Sequence, residues 1–256
     1  MTNVDLNCDL GECLDAVSIG ADSEIITQVT SINVACGFHA GNHSVMHEIV
    51  RAAKHAGVAV GAHPGFPDMP GFGRRNMDMP PDELRSCILY QIGALYAILK
   101  AEGMSFQHVK PHGALYNMAA EDLEIALVIG KAIQLFDSSL IYCGLAGSQM
   151  TKAAETLDLR FSSEVFADRA YQPDGTLLPR SQPGAVIEDA NEAADRVLCM
   201  VKEGWVSAAD GSKVLIKADT VCIHGDNPMA GFVAMRIKTV LEAEGIALVP
   251  MAEVAR

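Results

Sequence analysis

The fold of this chain is decided by the stretch at residues 31–43, which reads S-I-N-V-A-C-G-F-H-A-G-N-H. A short apolar run from Ile32 to Cys36 stops at Gly37, and polar residues with two histidines follow at once. Buried strands of parallel α/β proteins have this pattern, because their carboxyl ends deliver the side chains that form the site. The stretch therefore predicts a strand that leads into a functional loop and then a helix.

The same pattern recurs along the 256 residues, so that strands alternate with helices about seven times. The predicted strands span residues 4–8, 32–36, 58–62, 106–110, 140–143, 160–166 and 220–224. Helices are predicted at 23–30, 44–55, 81–100, 121–136, 189–202 and 228–244, with another that ends near 157 and an extended piece at 246–249. Because no long linker interrupts this alternation, we predict one α/β domain over residues 1–256 with parallel strands.

Two architectures fit such an alternation, a closed or nearly closed (β/α) barrel and an open doubly wound sheet. An open sheet collects its site at one switch point, whereas a barrel assembles its site from all the strand ends. Polar residues follow nearly every predicted strand of this chain. The distribution therefore favours the barrel.

Composition and charge narrow the class of protein. The chain is 50% hydrophobic with a net charge of -13, and it lacks the basic surface that nucleic acids and anionic membranes need. Its seven cysteines form no C-x-x-C pair, so we expect reduced, structural thiols. No apolar run approaches the roughly 18 residues of a membrane-spanning helix, and the first twelve residues carry no basic side chain. We expect a cytoplasmic protein.

The candidate site residues are polar or charged side chains that mostly lie at or near the ends of predicted strands. They are Asn7, Asp9, Glu12, Asn33, His39, His43, His63, Lys110, His112, Tyr116, Glu164, Arg169, Arg180, His224 and Asp226. Five of the eight histidines of the chain belong to this set, and such a convergence favours a shared site over scattered structural roles. Histidines, carboxylates and a lysine suit acid–base hydrolysis of a C–N or C–O bond.

Three of these residues have the types and spacing of a divalent-metal site, namely Asp9 with the His-x-x-x-His pair His39 and His43. Hydrogen bonds from the histidines to loop carbonyls are the alternative. Arg169 and Arg180 are candidates to bind a carboxylate or a phosphate, for which the guanidinium fork is suited.

Several familiar motifs are missing from the sequence. The chain has no G-x-x-x-x-G-K-[ST] or G-x-G-x-x-G loop for phosphate groups and no G-x-S-x-G nucleophile elbow. No cysteine has an obvious activating neighbour in the sequence, so we do not expect thiol catalysis.

Eight motifs occur in order along the chain. They are V-D-L-N-C-D-L-G-E (4–12), S-I-N-V-A-C-G-F-H-A-G-N-H (31–43), G-A-H-P-G-F-P-D (61–68), G-F-G-R-R (71–75), V-K-P-H-G-A-L-Y-N (109–117), E-V-F-A-D-R-A-Y (164–171), L-L-P-R (177–180) and H-G-D-N (224–227). Together they resemble the LamB/YcsF family, which contains the A subunits of bacterial 5-oxoprolinase. The resemblance covers residues 4 to about 250.

The resemblance implies a fold and an activity. The fold would be an irregular seven-stranded, TIM-like (β/α) barrel of the glycoside hydrolase/deacetylase type. The activity would be ATP-dependent hydrolytic ring opening of 5-oxo-L-proline to L-glutamate, performed with the companion subunits B and C. The wider superfamily includes deacetylases that hold a divalent metal with an Asp and a His-x-x-x-His pair, which Asp9, His39 and His43 would reproduce.

We assign roles to the candidate residues as a hypothesis. The catalytic set is Asp9, Glu12, His39, Lys110 and His112, in which Asp9 or His39 would position or deprotonate water and Lys110 and His112 would stabilise the oxyanion. The substrate-binding set is Asn7, Asn33, His63, Tyr116, Glu164, Arg169, Arg180, His224 and Asp226, in which Arg169 or Arg180 would hold the substrate carboxylate. ATP would bind at a non-standard site or on the companion subunits.

Two alternative functions remain open at this point. The first is a stand-alone metal-dependent deacetylase or carbohydrate-active hydrolase, which would act without partners and lose activity to a chelator. The second is a non-catalytic binding subunit, in which changes at the strand ends would leave the activity of a complex intact.

Overall fold

Seven parallel strands close into a barrel in the computed structural model, which describes residues 2–13, 25–224 and 229–255. In chain order the strands are β1 (Asn3–Leu10), β2 (Ser31–Ala35), β3 (Ala59–His63), β4 (Phe106–Val109), β5 (Ile141–Leu145), β6 (Phe161–Phe166), β7 (Trp205–Ser207), β8 (Lys213–Leu215), β9 (Thr220–His224) and β10 (Ala247–Leu248). The barrel runs from β1 through β6 to β9, and β9 pairs again with β1. This closure confirms the predicted seven-stranded barrel over the open sheet.

The strand that closes the barrel also sets the register of the site. Asp9 of β1 lies opposite Asn33 of β2 on one side and His224 of β9 on the other. Because all the barrel strands run in one direction, their carboxyl ends meet at one rim. The predicted strands are all present, and their ends differ from the prediction by no more than two residues.

Helices surround the barrel. They are α1 (His43–Ala56), α2 (Pro81–Glu102), α3 (Gly113–Glu121), α4 (Leu123–Asp137), α5 (Gln149–Leu157), α6 (Ala190–Leu198) and α7 (Ala230–Ala243). In α1, the Asn42 side chain accepts hydrogen bonds from the first-turn amides of Ser44 and Val45, and Gly57 ends the helix with a φ of 70°. The buried apolar side chains of these helices pack against the outer face of the barrel.

The interior of the barrel is polar on the side of β1. Along this strand Val4, Leu6, Cys8 and Leu10 belong to the apolar core, and they alternate with Asp5, Asn7 and Asp9. The three polar side chains are buried and bond to neighbouring strands. Because successive side chains of a strand point to opposite faces, the apolar set packs outward and the polar set fills the barrel.

Several predicted elements differ from those observed. Residues 113–117, for which no helix was predicted, form the start of α3, because Gly113 with a φ of 55° turns the chain directly into a helix. The segment at 23–30 contains only the short 3₁₀ helix Ile26–Gln28 among its described residues. The predicted helix at 189–202 becomes a π-helix at Cys199–Glu203. Pro228, the predicted first residue of the helix at 228–244, lies outside the described residues.

Two smaller features lie outside the barrel. A β-hairpin of β7 and β8, which was not predicted from the sequence, encloses the turn at Asp210 and Gly211. The segment that follows β6 is held by isolated bridges from Arg169 to Val186 and from Tyr171 to Leu177.

Among the described residues, no helix combines the length and the apolar character needed to cross a lipid bilayer.

The polar interior leaves no room for a methyl group at Gly61 of β3, since an added Cβ would lie 2.2 Å from Nε2 of His108. We expect Gly61→Ala to lower the free energy of unfolding by about 1–3 kcal/mol through overpacking. Gly93→Ala is the matched control, because nothing lies within 4 Å of its added Cβ in helix α2. That change should stabilise the protein by about 0.5–1 kcal/mol. Urea unfolding of both variants measures the difference, and equal stability would contradict the packing described here.

Candidate active site

A buried ammonium group lies at the centre of the strand ends. Lys110, which follows β4 directly, places Nζ 2.8 Å from Oδ1 of Asp9, 2.9 Å from Oε1 of Glu164 and 3.1 Å from Sγ of Cys222. Burial opposes the charged form, but the two carboxylates raise the pKa of Lys110 well above its usual value. We call Lys110 with Asp9, Glu164 and Cys222 the lysine cage.

The three hydrogens of this ammonium group all have acceptors within the lysine cage. An ammonium has three donors, and Lys110 has three close partners. From the sequence, Lys110 was expected to donate to a substrate oxyanion. The geometry favours a different role, in which Lys110 fixes the positions of Asp9 and Glu164.

Two asparagines support the cage from inside the barrel. The Asn33 amide donates to Oδ1 of Asp9 at 2.8 Å and to Oδ1 of Asn7 at 2.7 Å. His108 lies 2.6 Å from Oδ1 of Asn33, and burial lowers the pKa of His108 to about 3, so this neutral imidazole donates through Nε2. Oδ1 of Asp9 therefore accepts hydrogen bonds from both Lys110 and Asn33.

The second layer of this network lies deeper in the barrel. Asn7 donates to Oε1 of Glu164 at 3.1 Å and to the Thr220 hydroxyl at 2.6 Å. The Thr220 hydroxyl in turn donates to Asp5, which also accepts from Ser31 at 2.6 Å. Burial raises the pKa of Asp5 to about 6, although these hydroxyl hydrogen bonds oppose the rise.

Four residues at the rim converge on one point. A ligand atom from each of Glu12, His39, His63 and His112 lies within 4.8 Å of the others, and we call this group the histidine cluster. The rings of His39 and His112 are stacked with their centroids 3.8 Å apart. Oε1 of Glu12 lies 3.2 Å from Nδ1 of His112.

Backbone carbonyls fix which ring nitrogens carry hydrogen. Nδ1 of His63 lies 2.8 Å from the carbonyl oxygen of Lys110, and Nε2 of His112 lies 2.8 Å from that of Phe72. Because a carbonyl oxygen only accepts, both of these nitrogens are protonated. The remaining nitrogens, Nε2 of His63 and Nδ1 of His112, lie 3.0 Å apart.

The loop that supplies the Phe72 carbonyl is itself constrained. Phe72 has a φ of 53°, in the left-handed region that side chains rarely adopt. Asp68 caps the short 3₁₀ helix Met69–Gly71 and forms an ion pair with Arg75 across the loop. These contacts hold the carbonyl of Phe72 against His112.

The histidine cluster has the donor set of a divalent-metal site. Both ring nitrogens of His39 and Oε1 of Glu12 are buried without a hydrogen-bond partner among the residues that the structure describes. Burial lowers the pKa of His39 to about 3, so its imidazole is neutral and keeps a lone pair. Neutral imidazoles with a carboxylate are ligands that divalent transition metals prefer. The residues present therefore fit a metal ion.

The predicted metal set of Asp9, His39 and His43 is not brought together as one group. Only His39 belongs to the histidine cluster, whereas Asp9 belongs to a second group with Cys222 and His224. His43 is the exposed first residue of α1, and it is absent from the cluster. A His-x-x-x-His spacing brings two rings together only on one helix, whereas His39 lies in the turn before Asn42. His63 and His112, which were predicted as substrate-binding and catalytic residues, join His39 instead.

A carboxylate–histidine pair lies beside the lysine cage. Nδ1 of His224 lies 2.8 Å and 3.1 Å from the two carboxylate oxygens of Asp168, and the His224 ring stacks on Phe166. Burial opposes ionisation of Asp168, but His224 holds its pKa below the usual value. With Nδ1 engaged, Nε2 of His224 is the nitrogen left to transfer a proton.

Members of each of these groups, among them Lys110, His112 and His224, line a cavity of about 460 Å³. Three arginines, Arg74, Arg169 and Arg180, line it as well. The Arg169 guanidinium donates to the carbonyls of Leu178 at 2.6 Å and Ala185 at 3.3 Å, so it holds the segment that carries Arg180. Arg169 therefore supports the cavity wall as well as lining it, and Arg74 and Arg180 are two further guanidinium groups at the cavity.

The structure separates the predicted site residues into groups. Those that line the cavity are Asp9, Glu12, His63, Lys110, His112, Tyr116, Arg169, Arg180 and His224. Those that are buried outside its lining and support it are Asn7, Asn33, His39 and Glu164. The Tyr116 hydroxyl donates to Glu164 at 2.8 Å. Asp226 lies outside the described residues.

Cys222 belongs to the site although the sequence pattern placed it in the apolar core. Its thiol faces Lys110, while burial raises the pKa of this thiol well above its usual value and keeps it protonated. A signal was available, because Cys222 is two residues before His224 on β9 and so shares its face.

Comparisons with known proteins give a consistent result. A family model described as the LamB/YcsF family matches residues 4–256. The A subunit of the 5-oxoprolinase of Pyrococcus horikoshii is 53% identical over 253 residues, 99% of each chain. That of Bacillus subtilis is 54% identical over 99% of this chain and 98% of its own. A crystal structure of a lactam utilization protein from Thermus thermophilus superimposes with a TM-score of 0.90 at 50% identity, covering 96% of this chain and 99% of that one.

The raised pKa of Asp5 predicts a pH dependence of stability. The folded state keeps the proton of Asp5 up to about pH 6, whereas a free carboxyl releases it near its ordinary pKa of 3.8. The folded state binds more protons in this window, so stability falls as pH rises from about 4 to 6. Each pKa unit corresponds to about 1.36 kcal/mol, so the free energy of unfolding falls by about 3 kcal/mol over this window. Asp5→Asn should lack this fall, as urea unfolding between pH 4 and 7 would measure. If the free energy of unfolding changed with pH in the same way for both proteins, the raised pKa of Asp5 would be refuted.

Proposed function

This chain belongs to the LamB/YcsF family, and from that membership we propose that it is the A subunit of a 5-oxoprolinase. In this proposal it opens the ring of 5-oxo-L-proline to give L-glutamate, in an ATP-dependent reaction with companion subunits B and C. The observation that carries the proposal is an identity above 50%, along nearly the whole chain, with proteins named as the A subunits of 5-oxoprolinases. The geometry at the strand ends supplies groups suited to hydrolysis of a cyclic amide.

The cavity suits a small anionic substrate in size and charge. Its volume of about 460 Å³ lies within the range of roughly 300–1,000 Å³ that small-molecule sites occupy. The substrate is a five-membered lactam with one carboxylate. Arg180 and Arg74 offer guanidinium groups for this carboxylate, or for phosphoryl oxygens if ATP activates the lactam oxygen by phosphorylation. Attack of water on the ring carbon would then break the C–N bond as the nitrogen takes up a proton. Hydrolysis of the resulting acyl phosphate by a second water would release phosphate and L-glutamate.

Ring opening needs one proton removed from water and one delivered to the lactam nitrogen. Asp9 is placed to orient the water, because Oδ1 is held by Lys110 and Asn33. Burial opposes its ionisation, but His63 and Lys110 hold the pKa of Asp9 well below its usual value, so it stays a carboxylate. His224 is the candidate to exchange protons with the ring nitrogen, since Asp168 fixes its orientation.

The histidine cluster is our proposed site for a divalent metal, held by Glu12, His39, His63 and His112. Bound there, the metal supplies Lewis-acid activation of water or of the lactam oxygen. One cation bound there would take ligands from both Nε2 of His63 and Nδ1 of His112, which lie 3.0 Å apart. The two alternatives, a non-catalytic binding role and a stand-alone hydrolase, are not favoured, because the similar proteins are named as components of 5-oxoprolinases.

Asp9→Asn should lower kcat of the reconstituted three-subunit enzyme by about 100-fold or more, because the side chain keeps its shape but loses the charge that orients water. Glutamate release from 5-oxo-L-proline and ATP measures the rate. His55→Ala is the matched control, since His55 is exposed on α1 and its ring hydrogen-bonds to the Arg51 carbonyl of the same helix. If the Asp9→Asn enzyme worked at the wild-type rate, Asp9 would have no part in the mechanism. If the wild-type complex released no glutamate, the proposed function would be overturned.

His39→Ala should weaken binding of Zn²⁺ or Mn²⁺ to the isolated chain by about 100-fold or more, because a neutral buried ligand is lost. His43→Ala is the control that separates the observed cluster from the spacing-based one, and it should bind metal like the wild type. Isothermal titration of the metal-free proteins gives both affinities. If His43→Ala lost the metal and His39→Ala kept it, the histidine cluster would be the wrong site.

A further inference from the structure

Two groups of potential ligands lie side by side at the strand ends. The first is the histidine cluster, and the second comprises Asp9, Cys222 and His224, whose ligand atoms lie within 4.8 Å of one another. Asp9 joins the two groups, since Oδ2 lies 3.5 Å from Nε2 of His63 while Oδ1 faces Lys110. Hydrolases with two metal ions use such a carboxylate between adjacent cations.

The second group already surrounds a positive charge. Nζ of Lys110 lies 2.8 Å from Asp9 and 3.1 Å from Cys222 of that group, and Glu164 at 2.9 Å completes the lysine cage. Oδ1 of Asn7 is a further acceptor at 3.5 Å. A metal ion could not approach Asp9 Oδ1 and Cys222 Sγ without displacing this ammonium group, because both would need the same volume.

We propose that the ammonium group of Lys110 permanently occupies the second cation position of a paired site, so that the chain binds one divalent metal ion and not two. The single ion lies in the histidine cluster. This inference rests on the proposed metal site and deepens it by defining its stoichiometry and the role of Lys110.

The replacement changes what the second cation can do. An ammonium group carries one charge, has three hydrogens already bonded within the lysine cage, and binds no exchangeable water. Lys110 therefore balances Asp9 and Glu164 without competing for the metal or the substrate. The carboxylate of Asp9 keeps one oxygen for Lys110 and one for the side of the cluster. Lys110 is a positioning residue in this arrangement.

The test is a metal titration of the isolated, metal-free chain with Co²⁺, followed by absorption spectroscopy and calorimetry. We expect one ion per wild-type chain, bound by imidazole and carboxylate without a thiolate-to-cobalt charge-transfer band. Lys110→Ala vacates the cage, so we expect two ions per chain and the appearance of that band from Cys222. Adding Cys222→Ser to Lys110→Ala should abolish the band, and Cys222→Ser alone should leave the wild-type stoichiometry and affinity unchanged.

Two ions in the wild-type chain would overturn the proposal, and so would one ion in a folded Lys110→Ala chain, whose fold circular dichroism verifies. If Lys110→Ala does not fold, the wild-type stoichiometry and the Cys222→Ser variant still decide, because a thiolate band in the wild type or a loss of affinity in Cys222→Ser would contradict it. The ring-opening activity of the wild-type complex is measured separately. Two ions with full activity would refute only this inference, and one ion without activity would refute only the proposed function.

Discussion

The contact on which the site depends is the buried ion pair of Lys110 with Asp9 and Glu164. Asp9 and Glu164 lie on β1 and β6, and Lys110 directly follows β4, so these charges link three different strands of the barrel. Breaking a buried pair by removing one partner typically costs about 3–5 kcal/mol, because a charge is left without compensation. Asn33 and Asn7 donate to the same oxygens as Lys110, Oδ1 of Asp9 and Oε1 of Glu164, and the Tyr116 hydroxyl donates to Oε2 of Glu164. The positions of the catalytic candidates thus follow from electrostatic balance inside the barrel.

A barrel interior is usually filled by branched apolar side chains, and this one departs from the rule. The strand β1 carries Asp5, Asn7 and Asp9 inward, and each of them bonds to side chains of other strands. A fully connected polar network is acceptable in a core because every donor and acceptor is paired. The same network connects the inside of the barrel to the rim through hydrogen bonds, since His108 orients Asn33 and Asn33 orients Asp9.

The sequence predicted the strands well because apolar runs that end in polar residues mark buried strand ends. It placed His39, His63 and His112 in the site for the same reason. It failed where a contact depends on how distant segments meet: the carbonyls of Lys110 and Phe72 that set the histidine tautomers have no sequence signal. His43 was predicted beside His39 from their spacing, but such spacing implies proximity only within one helix, and neither His43 nor Asp9 belongs to the histidine cluster. The place of Cys222 in the site could have been predicted, since it lies two residues before His224 and residues two apart on a strand share a face.

The loop that carries Phe72 has a consequence for how the protein tolerates change. Its carbonyl decides which nitrogen of His112 can bind a cation, although the Phe72 side chain is not among the cluster ligands. Gly73, whose added Cβ would lie 2.7 Å from Cβ of His39, leaves no space for the loop to shift toward the cluster. Insertions or deletions between Asp68 and Arg75 would therefore act as chemical changes at the rim, even with every ligand retained. Loop length in this segment is under the same constraint as the ligands themselves.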